Sequence, residues 1–207
     1  MLGKTHMAVG VAATLAITKP TTITELVLGS GIGALGAVIS DIDSGTSESH
    51  KEADKIIATV TIILLVIGIL DYFLGLGIWN KMKNNRILYQ IVIALLFFVG
   101  ICVYGKEQPH RSFMHSFLAM GILSAPLAFL YPMAVKYFVI GFLSHLVLDI
   151  FNYKKVRLFY PAKRGICFRL FHAKGMANDI VFITAVIVVI LEVVMVAWEK
   201  FGWMVRL

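Results

Sequence analysis

The side chains of this sequence that could do chemistry fall into four small groups. His6 stands near the start. Asp41 and Asp43 flank Ile42, His110 and Arg111 lead to His115, and His145 lies one helical turn before Asp149. On a helix, residues spaced i, i+4 stack on one face, so His145 and Asp149 can reach the same ion. Asp41-Ile42-Asp43 is short enough to offer two carboxylates from an irregular turn. Imidazole suits zinc and other transition metals, while carboxylate adds harder oxygen ligands and neutralises the charge of a second ion. The candidate ligands are therefore His6, Asp41, Asp43, His110, His115, His145 and Asp149. They would serve one or two divalent ions, zinc first and manganese as the alternative. Arg111 brings a planar fork that fits phosphate oxygens, and His115 or Asp43 could act as general acid or base instead of as a ligand. The chemistry expected of such a set is metal-assisted hydrolysis, in which the ion activates water and polarises the scissile bond.

Taken singly, each residue has a plainer reading. A histidine at a membrane boundary is an interfacial polar group, and an aspartate at a helix end is often a cap. The set changes that balance, because four histidines and three aspartates gathered on one side of so apolar a chain need mutual partners, and a metal supplies them.

The elements that must position these groups are apolar helices. The chain has 207 residues, 59% of them hydrophobic and only 15% charged, which leaves too little polar surface for a soluble domain. Hydropathy punctuated by charged and turn residues predicts helices near 6–18, 23–39, 56–78, 87–104, 113–131, 133–151 and 178–198. The expectation is an all-α, polytopic transmembrane bundle of about six to seven spans, forming one integral membrane domain over 1–207. If the chain changes sides at each span, the start of the first helix, the end of the second, the start of the fifth and the end of the sixth share a side. Those four ends carry the four chemical groups. Gly29, Gly31, Gly33 and Gly36 would let the second helix approach a neighbour closely inside the bundle.

Two linkers are long. Ser40 to Lys55 is acidic, with Asp41, Asp43, Glu48, Glu52 and Asp54 around Gly45. The segment 152–178 is basic and aromatic: Lys154, Lys155, Arg157, Lys163, Arg164, Arg169 and Lys174 are interleaved with Tyr153, Phe159, Tyr160, Phe168 and Phe171. It is expected to lie amphipathically in the headgroup layer, rings inward and cations outward. Because much of the formal +7 charge lies here, the partner expected is anionic membrane lipid and not nucleic acid. The first apolar run is expected to stay in the mature protein, having no small-residue cleavage site. Cys102 and Cys167 have neither the number nor the spacing of a disulfide framework or thiolate zinc site. Asp71, well inside the third predicted span, is a further functional candidate, while His50 and His172 are expected to be solvated in linkers.

In their order and spacing, Thr5-His6 followed by Gly10, the Ser40-Asp41-Ile42-Asp43 turn, His110-Arg111-Ser112 leading to His115-Ser116, and His145 through Asp149 resemble the motifs of the YdjM-like membrane-bound metal-dependent hydrolases. The resemblance runs from His6 to about Pro161, and His-Arg-x-x-x-His-Ser is its most specific piece. One departure is Ser40, where the family commonly has proline. The resemblance implies a multi-helix membrane enzyme holding a divalent metal on these His and Asp residues, and it leaves the substrate open. Ligands at helix ends beside a basic segment point to a phosphoester of a lipid or another substrate presented at the membrane surface. Alternatives are a metal-ion transporter, which would want ionisable groups near mid-membrane, and a non-catalytic metal-binding protein. A lipid phosphatase of the haloperoxidase type also uses His-x-x-x-Asp, but its other motifs are missing. Discounting an interfacial basic segment, charge counting turns the metal-motif face outward from a bacterial cell membrane.

Overall fold

In the computed structural model, which describes residues 1–45, 47–173 and 175–201, the chain is all-helical. Among the described residues eight α-helices succeed one another: α1 (Gly3–Thr18), α2 (Ile23–Ile39), α3 (Glu48–Leu74), α4 (Ile78–Asn84), α5 (Arg86–Lys106), α6 (Phe117–Leu130), α7 (Pro132–Ile150) and α8 (Met176–Phe201). Two short 3-10 turns, Ser40–Asp43 and Phe113–His115, interrupt the series at the site. Among the described residues five segments are long and apolar enough to cross a membrane: Ile23–Asp43, His50–Leu74, Arg86–Lys106, Pro132–Ile150 and Met176–Glu199. The other two expected spans form as helices but are shorter, α1 with 16 residues and α6 with 14. α3 begins at Glu48, earlier than hydropathy suggests, because Ser47 accepts a hydrogen bond from the His50 amide and so caps a polar first turn.

α7 is the hub. It packs against α1, α2 and α6, while α8 lies on α1 and α5 lies on α6. The glycines of α2 set the closest of these approaches. A Cβ at Gly36 would fall 2.3 Å from the Phe138 carbonyl oxygen, and one at Gly141 would fall 2.1 Å from that of Gly33. No side chain fits there, so the α2 and α7 backbones touch. Gly29, Gly33 and Gly36 are buried as expected, whereas Gly31 is exposed and faces open space. α3 and α5 instead expose most of their large apolar side chains, as helices solvated by lipid do.

Residues 152–173 form no helix. Val156 and Ile166 pair as an isolated antiparallel bridge, and the segment folds back on the helix ends through Phe117 N–H to the Leu158 carbonyl at 3.0 Å and Phe168 N–H to that of Ile150 at 2.7 Å. Val156 and Leu158 are buried, while Phe159, Phe168 and Leu170 are exposed together with Lys154, Lys155, Lys163, Arg164 and Arg169. The segment is a looped-back chain that exposes most of its cations along with several of its rings. Lys174 lies outside the described residues.

Candidate metal centre

The end of the bundle where α1 begins and α2 and α7 finish brings all eight sequence candidates together. α1 supplies His6, and α7 supplies His145 and Asp149 from its last turns. At the end of α2 the chain tightens into the 3-10 turn that carries Asp41 and Asp43. The second 3-10 turn places His115 opposite, and Ser116 then caps α6 by accepting the Ala119 amide hydrogen at 3.1 Å. The serine of the His-Ser pair is thus spent on starting a helix.

Four ligand atoms close on one another. His115 Nε2 is 3.2 Å from His145 Nε2, 3.4 Å from Asp149 Oδ2 and 3.9 Å from Asp41 Oδ1. His145 Nε2 is 3.8 Å from each of the same two carboxylate oxygens. Metal–ligand bonds of about 2.0–2.1 Å in a tetrahedral site put ligand atoms roughly 3.3 Å apart. The separations found match that scale or slightly exceed it. Tautomers agree with it as well. His145 Nδ1–H donates to the Ala37 carbonyl at 2.6 Å, which leaves the Nε2 lone pair of the neutral ring directed at His115. His115 Nδ1 lies 3.2 Å from Asp43 Oδ2, off the line of a well-formed hydrogen bond but close enough to draw the ring proton to that side. With both rings neutral and protonated at Nδ1, the two Nε2 lone pairs face each other and favour a cation between them; without one, a proton on His115 Nε2 would be shared with His145.

His6 sits beside this group. Its ring stacks on His145 with centroids 4.0 Å apart, and its Nε2 is 3.5 Å from Asp149 Oδ1. His6, Asp41 and His145 can each bring a ligand atom within 4.8 Å of the others. A further trio, Asp43, His110 and His115, meets the same distance, but its atoms already serve one another. His110 Nδ1–H donates to Asp43 Oδ1 at 2.7 Å, and the Arg111 amide donates to Asp43 Oδ2 at 3.1 Å. Asp43, expected as a ligand or proton carrier, accepts from these two donors and faces His115 Nδ1 with its second oxygen, so it borders both His110 and His115.

Arg111 does not reach out to the headgroups. It is buried, its Nη2 lies 3.0 Å from Asp149 Oδ1, and its Nη1 donates to the Lys154 carbonyl at 2.6 Å. Its backbone is left-handed, φ 65°, a conformation costly for a side chain of this size. The ion pair and the Asp43 contact hold it there.

Among the described residues the buried side-chain atoms without a hydrogen-bond partner are His6 Nδ1, Ser40 Oγ, Arg111 Nε, His115 Nδ1 and Asn152 Oδ1. All belong to the site or its immediate neighbours, where buried polar groups are expected to meet a water or an ion. Three carboxylates face the Arg111 guanidinium and the buried Met1 ammonium, which lies 3.7 Å from Asp149 Oδ1, so negative charge still exceeds positive by one when the imidazoles are neutral. That excess of negative charge registers at His115. Burial would pull its ring below the ordinary value, and the hydrogen bonds and charges of Asp149 and Asp43 more than reverse this, raising it to about 9. The donor set, its spacing and its charge therefore fit a divalent cation.

Sequence reasoning missed three supports. Asn152 Nδ2–H donates to Asp149 Oδ1 at 2.9 Å, which fixes that carboxylate. His50 Nδ1–H donates to the Ile42 carbonyl at 2.5 Å, and the Ser47 hydroxyl to that of Asp41 at 2.6 Å, so the start of α3 grips the aspartate turn. Asn178 Oδ1 accepts from the Thr5 hydroxyl at 2.9 Å and ties α8 to the turn that holds His6. An i, i+3 Asn after Asp149 is a readable signal; the other two depend on tertiary contact. Asp71 belongs elsewhere: its carboxylate accepts the Ile78 amide hydrogen at 2.7 Å in the turn between α3 and α4. His172 stacks on Tyr153, with ring centroids 4.4 Å apart, in the basic segment.

A family model described as YdjM inner membrane protein matches residues 1–206, and the chain belongs to that family. No curated protein and no solved structure matches it.

Proposed function

We propose that this member of the YdjM family is a metal-dependent membrane hydrolase acting on a phosphoester of a lipid or another substrate at the membrane surface. The observation that carries the reading is the convergence of His115 Nε2 and His145 Nε2, 3.2 Å apart, between the carboxylates of Asp41 and Asp149. These four would hold one divalent ion, zinc first and manganese as the alternative, with His6 beside them as a further ligand. Such an ion, when bound, supplies Lewis acidity and activation of water.

The chain's own residues do the rest. Asp149 is fixed by Arg111 and Asn152, so its second oxygen can face the histidines without turning. Asp43 holds His115 with Nε2 toward the cation position. His110 is about one-third exposed, and its Nδ1–H is anchored on Asp43, an arrangement suited to passing a proton at Nε2 to or from a bound substrate. Asp41, also partly exposed, lies on the same approach. Burial of His115, His145 and Asp149 keeps bulk water from the back of the site. The exposed lysines, arginines and rings of 153–171 would gather anionic headgroups at its edge. We take the site to face outward from the cell membrane; a cysteine replacing Lys163 should then react with an impermeant maleimide in intact cells. Gathering of the ligands at one end of the bundle, away from mid-membrane, disfavours a transporter.

The test is metal content of detergent-purified protein by elemental mass spectrometry, for the wild type and for His110→Ala, His145→Ala and Asp149→Ala, followed by a screen of phospholipid and polyprenyl phosphoesters. Near-stoichiometric metal that is lost in His145→Ala and Asp149→Ala, with turnover that depends on it, is the expected result. Absence of metal from replete wild type refutes the reading. Metal without turnover would leave a non-catalytic metal-binding protein.

A further inference from the structure

Beside the metal centre, α5 and α6 flank an apolar groove of about 540 Å³, a volume within the range of ligand clefts. Leu96, Gly100, Ile101 and Tyr104 line it from α5, and Leu118 and Ile122 from α6. Gly100 gives the groove depth, since a Cβ there would meet nothing within 4 Å. α5 is long and apolar enough to cross a membrane, and where it does so whatever fills this groove in the bilayer is hydrocarbon.

Two features separate it from ordinary lipid-facing surface. It ends on Phe113, in the same 3-10 turn as His115. At that end it also has a polar lip: the Tyr104 and Tyr160 hydroxyls are 3.4 Å apart, and the rings of both pack edge-on against Phe113 at 5.0 and 5.5 Å. Tyr160 belongs to the basic segment, just before the exposed Lys163 and Arg164. From mid-membrane toward the site, the order is apolar walls, paired hydroxyls, then cations and the metal centre. That is the order of a lipid's chain, ester region and anionic head.

We propose that the groove between α5 and α6 seats one hydrocarbon chain of an anionic lipid whose headgroup reaches the metal centre. This deepens the hydrolase reading and rests on it for the identity of the headgroup site. A bilayer chain gains no hydrophobic energy by entering, since lipid tails are as apolar as the groove. Shape and the polar lip select the chain, and the groove fixes where its head lies.

The test uses the full chain in phosphatidylcholine vesicles containing phosphatidic acid with a photoreactive diazirine in its acyl chain, with labelled peptides mapped by mass spectrometry. Diazirine phosphatidylcholine is the control for lipid that merely surrounds the protein. Expected is a several-fold excess of labelling at the Leu96–Tyr104 and Leu118–Ile122 stretches over the outward faces of α3 and α8, for the anionic lipid only. Gly100→Trp, which fills open space, should remove that excess and leave metal content unchanged; Ile122→Phe, narrowing the other wall, serves as a second variant. Equal labelling of all apolar faces, or labelling indifferent to both variants, overturns the proposal. Groove labelling in a wild type that hydrolyses no phosphoester would sink the hydrolase reading and leave the groove standing. Turnover with diffuse labelling would do the reverse.

Discussion

Replacing Asp43 by asparagine separates a residue that orients a ligand from one that is a ligand. The carboxylate accepts from His110 Nδ1 at 2.7 Å and from the Arg111 amide at 3.1 Å, and faces His115 Nδ1 at 3.2 Å. Asparagine has one acceptor oxygen. If that oxygen stays with His110, the new amide group turns its hydrogens toward the Arg111 amide and His115. The imidazole then does best as an acceptor at Nδ1, which puts its proton on Nε2, where the cation should bind. Restoring the productive tautomer against this preference sets two buried N–H groups facing each other, and leaving a buried donor unsatisfied costs about 1–3 kcal/mol. Metal affinity should therefore fall roughly 10- to 100-fold, the range typical of losing a residue that buttresses a metal ligand. Competition against a chromophoric zinc chelator in detergent would read this directly, with His145→Ala as the reference for removing a ligand outright. Affinity equal to wild type would mean that Asp43 merely braces the loop. A loss as large as in His145→Ala would make it a direct ligand and refute the assignment.

Other substitutions test the frame around the site. Arg111→Lys keeps the charge but loses the fork that spans Asp149 and the Lys154 carbonyl, so metal affinity should drop about tenfold in the same competition assay. Gly141→Val forces the α2 and α7 backbones apart and should cost about 3 kcal/mol, the upper end for overpacking, seen as a lowered thermal midpoint in detergent. Gly31→Ala, on the open face of the same α2, should be neutral or slightly stabilising, since alanine is the better helix former. Asn178→Ala leaves the buried Thr5 hydroxyl without its acceptor and should cost about 1–3 kcal/mol of stability while activity of the folded fraction is retained.

Much of this arrangement is legible in the sequence because membrane helices leave few choices. A hydrophobic run must cross, and a run that crosses fixes the side on which its ends lie. Hence His6, Asp41, His115 and Asp149, far apart in the chain, could be assigned to one face by alternation alone, and they meet there. α1 and α6 show the limit of that reasoning. Each forms a helix shorter than the expected span, 16 and 14 residues, yet each still turns the chain, so the alternation on which the convergence depends is kept.

The division of labour among the gathered residues was not legible, and the reason is physical. Seven His and Asp side chains look equivalent as ligands until backbone geometry decides which lone pairs face inward. The Ala37 carbonyl decides it for His145, and Asp43 decides it for His115, both across more than sixty residues of chain. Arg111 illustrates the same point from the other side. Beside a histidine at a membrane boundary, an arginine reads as a phosphate ligand, but a left-handed backbone turns it inward onto Asp149. An arginine at φ 65° is held there only if what it binds outweighs the strain. A site that spends its one guanidinium on fixing a carboxylate is left with more carboxylates than cations, and that shortage is what a metal ion would fill.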